Sequence, residues 1–541
     1  MWRIYQAAQE VIGWLGPASE DSDQTLNDII LFAMPRNRDP EKDERYERVI
    51  RSWIEGLQPG DCPRDILFSR FDQVMTLGTA LRGRMIRFFN LPWFGRRWIA
   101  QEACLASRLR VYCGRRSVSG DQLFDAIGLI HNILSPAVSP WLQKPFRNAF
   151  ALLRTRNLAR EAERGHSQIS GAHILNALGP LDCIEDQDRI NALYGIFRLD
   201  DPWFSPEYCS TSELYIKFAV GHMRHHKSLD ILHFAGCTEP SRHVLGDMEN
   251  TLSVEIVGPE SDLPSWAPDW KIRHRPLPIL PEASDQADLG GGSKPFGVPF
   301  DPVHNTLTLR GKLLKGSINP CGMPHFDRYQ PEEDPLYQNF IDPWCNNIFV
   351  NFITTLDPAL AEEYRISPTF AQWFESAGPD DRNHHRLRSL VLCFARTLVM
   401  DCRIASIERG GKPPFPQDKI LEYFLEYAKL SLAADADAAD MAFAARVADL
   451  ESKEKSLAYG YLAEHICRYR TLFVGDGGVV GLGSTGICPG DRICFFQGLA
   501  TPFVVHPDGD HFELRGECYL DGFMDIPFDE LEGVDREIVL K

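Results

Sequence analysis

Apolar side chains recur at helical spacing at the start of the chain. Four of them lie three or four positions apart: Ile4, Ala8, Val11 and Leu15. A Gly-Pro pair follows at positions 16 and 17, and such a pair is a normal stop signal for a helix. The pattern predicts an amphipathic helix over residues 1–16, whose apolar stripe must be buried against other elements.

Further helices are predicted over much of the chain before residue 466. A loop that contains Pro92 leads into a helix in which Trp98 and Glu102 share a face, and a short strand, Leu109–Cys113, comes next. The other helical patterns cover 25–34, 46–57, 122–134, 149–164, 190–197 and most of 330–465. Residues 253–301 are rich in Pro and Gly, which is typical of a linker.

Residues 466–541 are rich in β-forming residues, in short runs that alternate with turn signals. Five short strands are predicted here: 471–474, 479–482, 492–496, 502–506 and 512–519. A hairpin over 306–318 is expected to join them. This number and spacing of strands are typical of a small antiparallel barrel or sandwich.

These patterns divide the chain into three regions. Residues 1–120 hold helices and the strand at 109–113, and 121–300 are mainly α-helical with the Pro- and Gly-rich linker at their end. Residues 301–541 form a small β domain, built from 303–320 with 466–525, that carries a helical insertion over 330–465. The predicted fold class is mixed, α+β.

The composition is that of an ordinary globular protein, and it argues against some classes of partner. With 57 Lys and Arg against 75 Asp and Glu, the net charge of −18 does not favour nucleic acids or anionic membranes. No run of about 20 apolar residues could span a membrane, and no secretory signal opens the chain. The 14 cysteines include no CxxC pair and are typical of reduced, buried thiols. We expect an intracellular protein in the cytoplasm.

The densest chemical signal is the segment Trp93–Glu102. Trp98 and Glu102 are four residues apart on one helical face, and Arg97 and Gln101 are four apart on the next. A carboxylate beside an indole can lie in the partly desolvated wall of a pocket. Desolvation then raises the pKa of the carboxylate, and the indole can hold a flat ligand. The alternative is that the tryptophans belong to the core and Glu102 pairs with an arginine such as Arg96.

Other candidate sites are weaker. Histidines group at 222–226 and at 384–385, but their spacing is not that of a metal site such as HExxH, so no metal centre is predicted. The Gly-rich stretch 475–490 lacks the Lys-Ser/Thr of a phosphate loop and fits hairpin turns.

At Trp93–Glu102 the chain resembles the fungal heterokaryon-incompatibility (HET) domain, through the pattern W-x-x-R-x-W-x-x-Q-E. This pattern places Trp93, Arg96, Trp98, Gln101 and Glu102 among the family's motif residues. Further segments agree with that family in order: I-Y-x-x-A-x-x-V-x-x-W-L-G at 4–16, D-R-I-N-A-L-Y-G at 188–195, L-P-S-W-x-P-D-W at 263–270, and G-D-x-I, G-x-C-Y and G-x-M between 490 and 524.

Two blocks that precede these motifs in the family, resembling L-S-Y-x-W-G and W-I-D-A-x-C-I-N-Q, do not occur here. Residues 1–120 are therefore expected to be the C-terminal part of a HET domain, a partial α/β remnant remotely similar to Toll/interleukin-1-receptor (TIR) domains. The α-helical middle and the small barrel-like domain follow it.

The resemblance implies non-self recognition between fungal individuals, with programmed cell death after hyphal fusion. We expect the chain to act through assembly and signalling, without turnover, and with no cofactor. The expected partners are a second copy or other incompatibility proteins.

A second hypothesis follows from the likeness to TIR domains. In enzymatic members a Glu four residues after a Trp binds the ribose of NAD. Glu102 is then the catalytic carboxylate of an NAD glycohydrolase, Trp98, Arg97 and Gln101 line the ligand pocket, and NAD is a substrate only.

Overall fold

The computed structural model describes residues 2–33, 79–134, 146–163, 171–196, 209–237, 262–272, 275–276, 278–279, 298–322, 343–364, 382–402, 415–432, 455, 458–460, 462–463 and 466–541. The chain divides into two compact units, Met1–Thr211 and Ser212–Lys541, and each is described by itself. The helix predicted over 46–57 lies outside the described residues.

A three-stranded sheet lies in the N-terminal unit. Strand β1, Val11–Trp14, pairs in parallel with β2, Leu109–Cys113, and β2 pairs antiparallel with β3, Arg116–Ser119. The side chains of β2 alternate between buried and half-buried, which is the period of a strand with one face in a core.

The other named elements among the described residues of the N-terminal unit are helices. In chain order they are α1 Trp2–Ala7, α2 Ser22–Phe32, α3 Thr79–Phe89, α4 Pro92–Gly95, α5 Ile99–Leu105, α6 Gly120–Leu134, α7 Arg147–Glu163, α8 Gly171–Ala177 and α9 Asp188–Asn191. The helices predicted over 25–34, 122–134 and 149–164 are confirmed. The one predicted over 190–197 is a single helical turn, α9, followed by turns through residue 196.

The predicted helix over 1–16 is wrong, because β1 takes the place of its second half. Residues four apart share a face in a helix and also in a strand, so the spacing of the apolar positions fits both structures. Burial settles the period: along β1 buried and exposed side chains alternate, with Ile12 and Trp14 outside. The backbone N–H of Val11 donates to Arg108, and that of Leu15 to Tyr112, which continues the parallel ladder with β2.

The C-terminal unit combines helices with a large sheet. Its described α-helices are α10 Thr211–His226, α11 Pro343–Leu356, α12 Pro358–Tyr364, α13 Arg382–Leu398 and α14 Ile420–Leu432, and its 3₁₀ helices are Asp230–Phe234, Met400–Cys402, Gln417–Lys419 and Phe528–Glu530. Its strands are β4 Phe300–Asp301, β5 Thr306–Leu313, β6 Ile318–Gly322, β7 Arg470–Gly475, β8 Val479–Ser484, β9 Arg492–Phe496, β10 Pro502–Asp508, β11 His511–Leu520 and β12 Val534–Leu540.

Five of these strands close into a ring. The order β9–β5–β12–β11–β10 returns to β9, with every neighbour antiparallel except the short parallel contact of β11 with β12. Ring closure removes free strand edges, which open sheets must otherwise protect. From β11 the sheet continues outward through β8, β7 and β6. The predicted mixed α+β class, with an antiparallel β structure at the C-terminus, is confirmed.

The five strands predicted between 471 and 519 are confirmed as β7 to β11. The hairpin predicted over 306–318 is wrong, because β5 lies between β9 and β12 whereas β6 pairs with β7. The linking segment is held instead by β9: the N–H of Leu314 donates to Ile493, and that of Ile318 to Asp491.

Helices α11, α13 and α14 share a core with the outward strands β7 and β8. Phe352, Phe394 and Phe424 pack in one buried cluster with Leu472 and Leu482 from those strands. In chain order these helices stand between β6 and β7, inside the 330–465 stretch for which helices were predicted.

Candidate functional site

The segment Trp93–Glu102 folds as two short helices, α4 and α5, with Arg96 exposed between them. Pro92 occupies the first position of α4, where its missing N–H costs no hydrogen bond. Most of α5 is buried, which directs one face of this segment into the N-terminal unit.

Arg97 lies on the buried face and binds main-chain carbonyl groups. Its side chain is 1% exposed, and its Nε and Nη2 atoms donate to the carbonyl oxygen of Arg189 at 3.0 and 2.7 Å. Its Nη1 donates to the carbonyl oxygen of Leu178. A guanidinium supplies several donors in a fixed geometry, so one Arg can satisfy carbonyls from two segments.

Gln101 is also buried, one helical turn after Arg97. Its amide donates to the carbonyl oxygen of Ala192 at 2.7 Å. The backbone of the same segment is tied at Asp182, whose N–H donates to Gly95 and whose carbonyl accepts from the N–H of Arg97. Arg97 and Gln101 therefore fasten the chain between 178 and 192 to α5; as ligand-pocket residues they stay predictions.

Trp98 points elsewhere and is half-buried. Its indole nitrogen donates to the Asp188 carboxylate at 2.9 Å, at the start of α9. The two sequence motifs that contain Trp98 and Asp188 are thus brought together in the fold.

Glu102 meets Trp93 and Tyr5. The Trp93 indole nitrogen donates to Glu102 Oε2 at 3.3 Å, and the Tyr5 hydroxyl makes a hydrogen bond to the same carboxylate. Burial raises the pKa of Glu102, against the lowering effects of the Trp93 hydrogen bond, the Arg96 charge and the Tyr5 hydrogen bond. Trp93 itself is buried, as the structural alternative predicts.

Strand β1 contributes a glycine to this contact. A Cβ atom at Gly13 would lie 3.0 Å from Cζ2 of Trp93, so the indole rests against the bare backbone. Chemically, the arrangement offers one half-buried carboxyl group that can hold or release a proton, beside an indole and a phenol. No group of three side chains that could hold a metal ion occurs within the described ranges.

Glu517 lies in a second polar cluster, in the C-terminal unit, which no sequence motif indicates. Its carboxylate is 4% exposed and lies 2.6 Å from Nδ1 of His233. These residues are 284 positions apart, so no local spacing could have joined them.

Comparison with known proteins agrees with this architecture. Residues 419–535 match the family model of the Het-6 β-barrel domain, a span that runs from α14 to the first residues of β12. Across 571 aligned residues the chain is 22% identical to Heterokaryon incompatibility protein 6, OR allele, of Neurospora crassa, covering 96% of this chain and 77% of that protein. The chain is thus similar to a fungal heterokaryon-incompatibility protein. No solved structure matches it.

The family match and the sheet complement each other. The matched residues hold β7 to β11, whereas β5 and most of β12, which complete the ring, lie outside the match. Among the described residues, no helix is both long and apolar enough to cross a membrane.

Proposed function

We propose that this chain acts in heterokaryon incompatibility, through assembly and signalling and without turnover. The name of the Neurospora crassa relative supports the general role. The mechanism rests on one observation: the Arg97 side chain is fully buried and binds the carbonyl oxygens of Leu178 and Arg189. A motif residue used in this way stabilises a fold and offers nothing to a substrate.

The other motif residues support the same proposal. Gln101 binds the carbonyl oxygen of Ala192, Trp98 binds Asp188, and Trp93 binds Glu102. Each side chain therefore connects two segments of the N-terminal unit. In this proposal the motif maintains a surface that partners recognise.

An exposed apolar area in the same unit supports assembly. Ile12 and Trp14 are 59% and 56% exposed on one face of β1, and Ile4 on α1 is 68% exposed. Apolar side chains grouped on a surface mark sites of protein association. The proposed partners are a second copy of this chain or other incompatibility proteins.

The second candidate is cleavage of NAD by a TIR-like mechanism, which the half-buried Glu102 carboxyl favours. Loss of nicotinamide develops an oxocarbenium ion, which a nearby carboxylate stabilises. The raised pKa of Glu102 acts against this role, because burial disfavours the ionised form that the reaction needs.

Expression in a fungal strain that lacks the protein tests the main proposal. Hyphal fusion between expressing and non-expressing strains should cause growth arrest and cell death, and the purified protein should release no nicotinamide from NAD. Normal growth after fusion contradicts the incompatibility role. Nicotinamide release that Glu102→Gln abolishes contradicts the non-catalytic mechanism.

A double substitution, Ile12→Ser with Trp14→Ser, tests assembly. Sedimentation of the wild-type chain should show self-association that this variant loses, with an unchanged circular dichroism spectrum. Ile184→Ser, at a side chain that is 97% exposed elsewhere in the unit, is the matched control. A wild-type monomer at all concentrations contradicts self-association.

A further inference from the structure

The C-terminal unit holds a buried acid–base pair that the proposed function does not use. His233 belongs to the 3₁₀ helix Asp230–Phe234, and Glu517 lies on β11. The His233 Nδ1 atom is 2.6 Å from Glu517 Oε2, and the two side chains are only 7% and 4% exposed. Burying ionisable groups costs free energy unless they are paired, so this geometry links their charges.

Glu517 also joins two further segments. Its Oε1 atom accepts the backbone N–H of Ile279 at 2.8 Å and lies 3.9 Å from Nη2 of Arg470, at the start of β7. The Thr501 hydroxyl, just before β10, is 3.4 Å from His233 Nδ1. The Glu517 carboxylate on β11 thus contacts the segments around His233 and Ile279 and the start of β7, and His233 in turn contacts the residue before β10.

The backbone of the segment that carries His233 also approaches the backbone of β11 closely. At Gly236 the backbone φ is +67°, and a Cβ atom there would lie 2.7 Å from the carbonyl oxygen of Leu514. Only glycine permits this approach. The segment that carries His233 therefore packs directly on β11. Its attachment depends on the side chains at this contact, among them His233 and Glu517.

The charged groups at this contact determine the direction in which the pKa of His233 shifts. Burial acts to lower the pKa of His233, but the charge and hydrogen bond of Glu517, together with the charge of Asp230, outweigh it and raise the pKa. Arg470, Cys237 and Cys518 also face Glu517, and burial raises the pKa of both thiols, which keeps them neutral. On the His233 side, Asp230 lies 3.6 Å from the buried His222, and Arg275 donates to the carbonyl oxygen of Phe234. The charge of Glu517 thus favours the imidazolium form of His233, in which Nδ1 donates to Glu517 while Nε2 is buried with no hydrogen-bond partner among the described residues.

We propose that the His233–Glu517 pair is a pH-sensitive latch, which holds the segment around Asp230–Phe234 on β11 while His233 is protonated and loosens it when the proton leaves. A group whose pKa is higher in the folded state than in the unfolded state stabilises the fold below its unfolded pKa, about 6.5 for His. The stabilisation is lost as the pH rises through the folded value. The latch therefore opens toward alkaline pH.

Hydrogen–deuterium exchange of the full chain tests the latch. After correction for intrinsic exchange rates, peptides that cover 230–237 should lose protection as the pH rises above neutral, about tenfold for each unit by which the folded pKa exceeds the unfolded one. Peptides from β5 should not change. His233→Gln should abolish this pH dependence, whereas His304→Gln, at an exposed histidine paired with Asp301, should keep it.

Two outcomes overturn the proposal: protection of 230–237 that is independent of pH in the wild type, or a pH dependence that survives in His233→Gln. If that variant does not fold, imidazole titration by NMR of the wild type decides. A histidine signal that a soluble paramagnetic agent does not broaden should titrate above about 6.5. If each shielded histidine titrates at or below that value, the latch does not exist.

Discussion

The Trp93 indole nitrogen donates a hydrogen bond to the Glu102 carboxylate at 3.3 Å, between α4 and α5. Glu102 therefore bonds to the buried Trp93. Trp98, which lies four residues before Glu102 in the sequence, binds Asp188 instead. Tyr5 from α1 reaches the same carboxylate. The contact joins three helices, and it makes Glu102 part of the packing of the N-terminal unit.

Arg97→Lys should destabilise the N-terminal unit. Lysine keeps the positive charge, but its single ammonium group cannot replace the planar guanidinium that binds the carbonyl oxygens of both Arg189 and Leu178. Buried acceptors therefore lose their donors. We expect a loss of about 2–4 kcal/mol in the free energy of unfolding. Urea unfolding followed by tryptophan fluorescence measures it. Arg96→Lys, at the exposed neighbour, should change stability by less than about 0.5 kcal/mol, and equal effects would refute the structural role.

Glu102→Gln should alter the pH dependence of stability. The pKa of this carboxyl is raised in the folded protein, so the folded state holds its proton more tightly than the unfolded state. Wild-type stability should therefore fall as the pH rises from about 4.5 through the raised pKa, and the glutamine variant should lack this component. Thermal midpoints across pH 4 to 8 in both proteins are the measurement.

Trp93→Phe provides the second arm of that experiment. It removes the indole donor, which among the interactions of Glu102 is the largest that lowers its pKa. The pH-dependent fall should then move to higher pH. A fall that stays in place would mean that the indole does not bind the carboxylate in solution.

Asp521→Asn should weaken the attachment of α13 to the barrel strands. Asp521 accepts two hydrogen bonds from Arg396, at 2.6 and 2.5 Å, and one from the Tyr519 hydroxyl at 3.1 Å. An amide has one acceptor oxygen and no charge, so we expect a loss of about 2 kcal/mol. Asp535→Asn breaks an exposed pair with Arg310 and should cost less than about 1 kcal/mol. Chemical unfolding of both variants gives the comparison.

Gly481→Ala should be poorly tolerated for a steric reason. A Cβ atom at this position in β8 would overlap the Phe473 ring and lie 2.5 Å from the carbonyl oxygen of Tyr519 on the neighbouring strand. We expect a loss of about 3 kcal/mol or more, or insoluble protein. At Gly477, where a Cβ atom meets open space but φ is +79°, alanine should cost about 1 kcal/mol from backbone strain alone.

The elements could be predicted from the sequence where the pattern of apolar residues fits either a helix or a strand, but not both. β7 to β11 are short β-rich runs separated by clear turn signals, and the long helices repeat apolar positions over many residues. At 11–14 the same apolar spacing fits a helix and a strand, and only pairing with Leu109–Cys113 decides between them. β12 was missed because its first four residues are exposed, which leaves Ile538 and Leu540 as its apolar signal.

The contacts of the candidate site could not be predicted from the sequence, and its functional role stays a prediction. Trp98 in the segment Trp93–Glu102 binds Asp188 of another motif. The partners of Arg97 and Trp98 lie about ninety positions away, and a spacing argument reaches only along one helix. The pairing of Glu517 with His233 could not be predicted for the same reason.

Incompatibility should not depend on the Glu102 carboxylate. The hyphal-fusion assay with Glu102→Gln tests this directly, in protein whose circular dichroism spectrum and sedimentation match the wild type. We expect the same frequency of cell death after fusion as in the wild type. Loss of cell death, with fold and assembly intact, would contradict the non-catalytic mechanism.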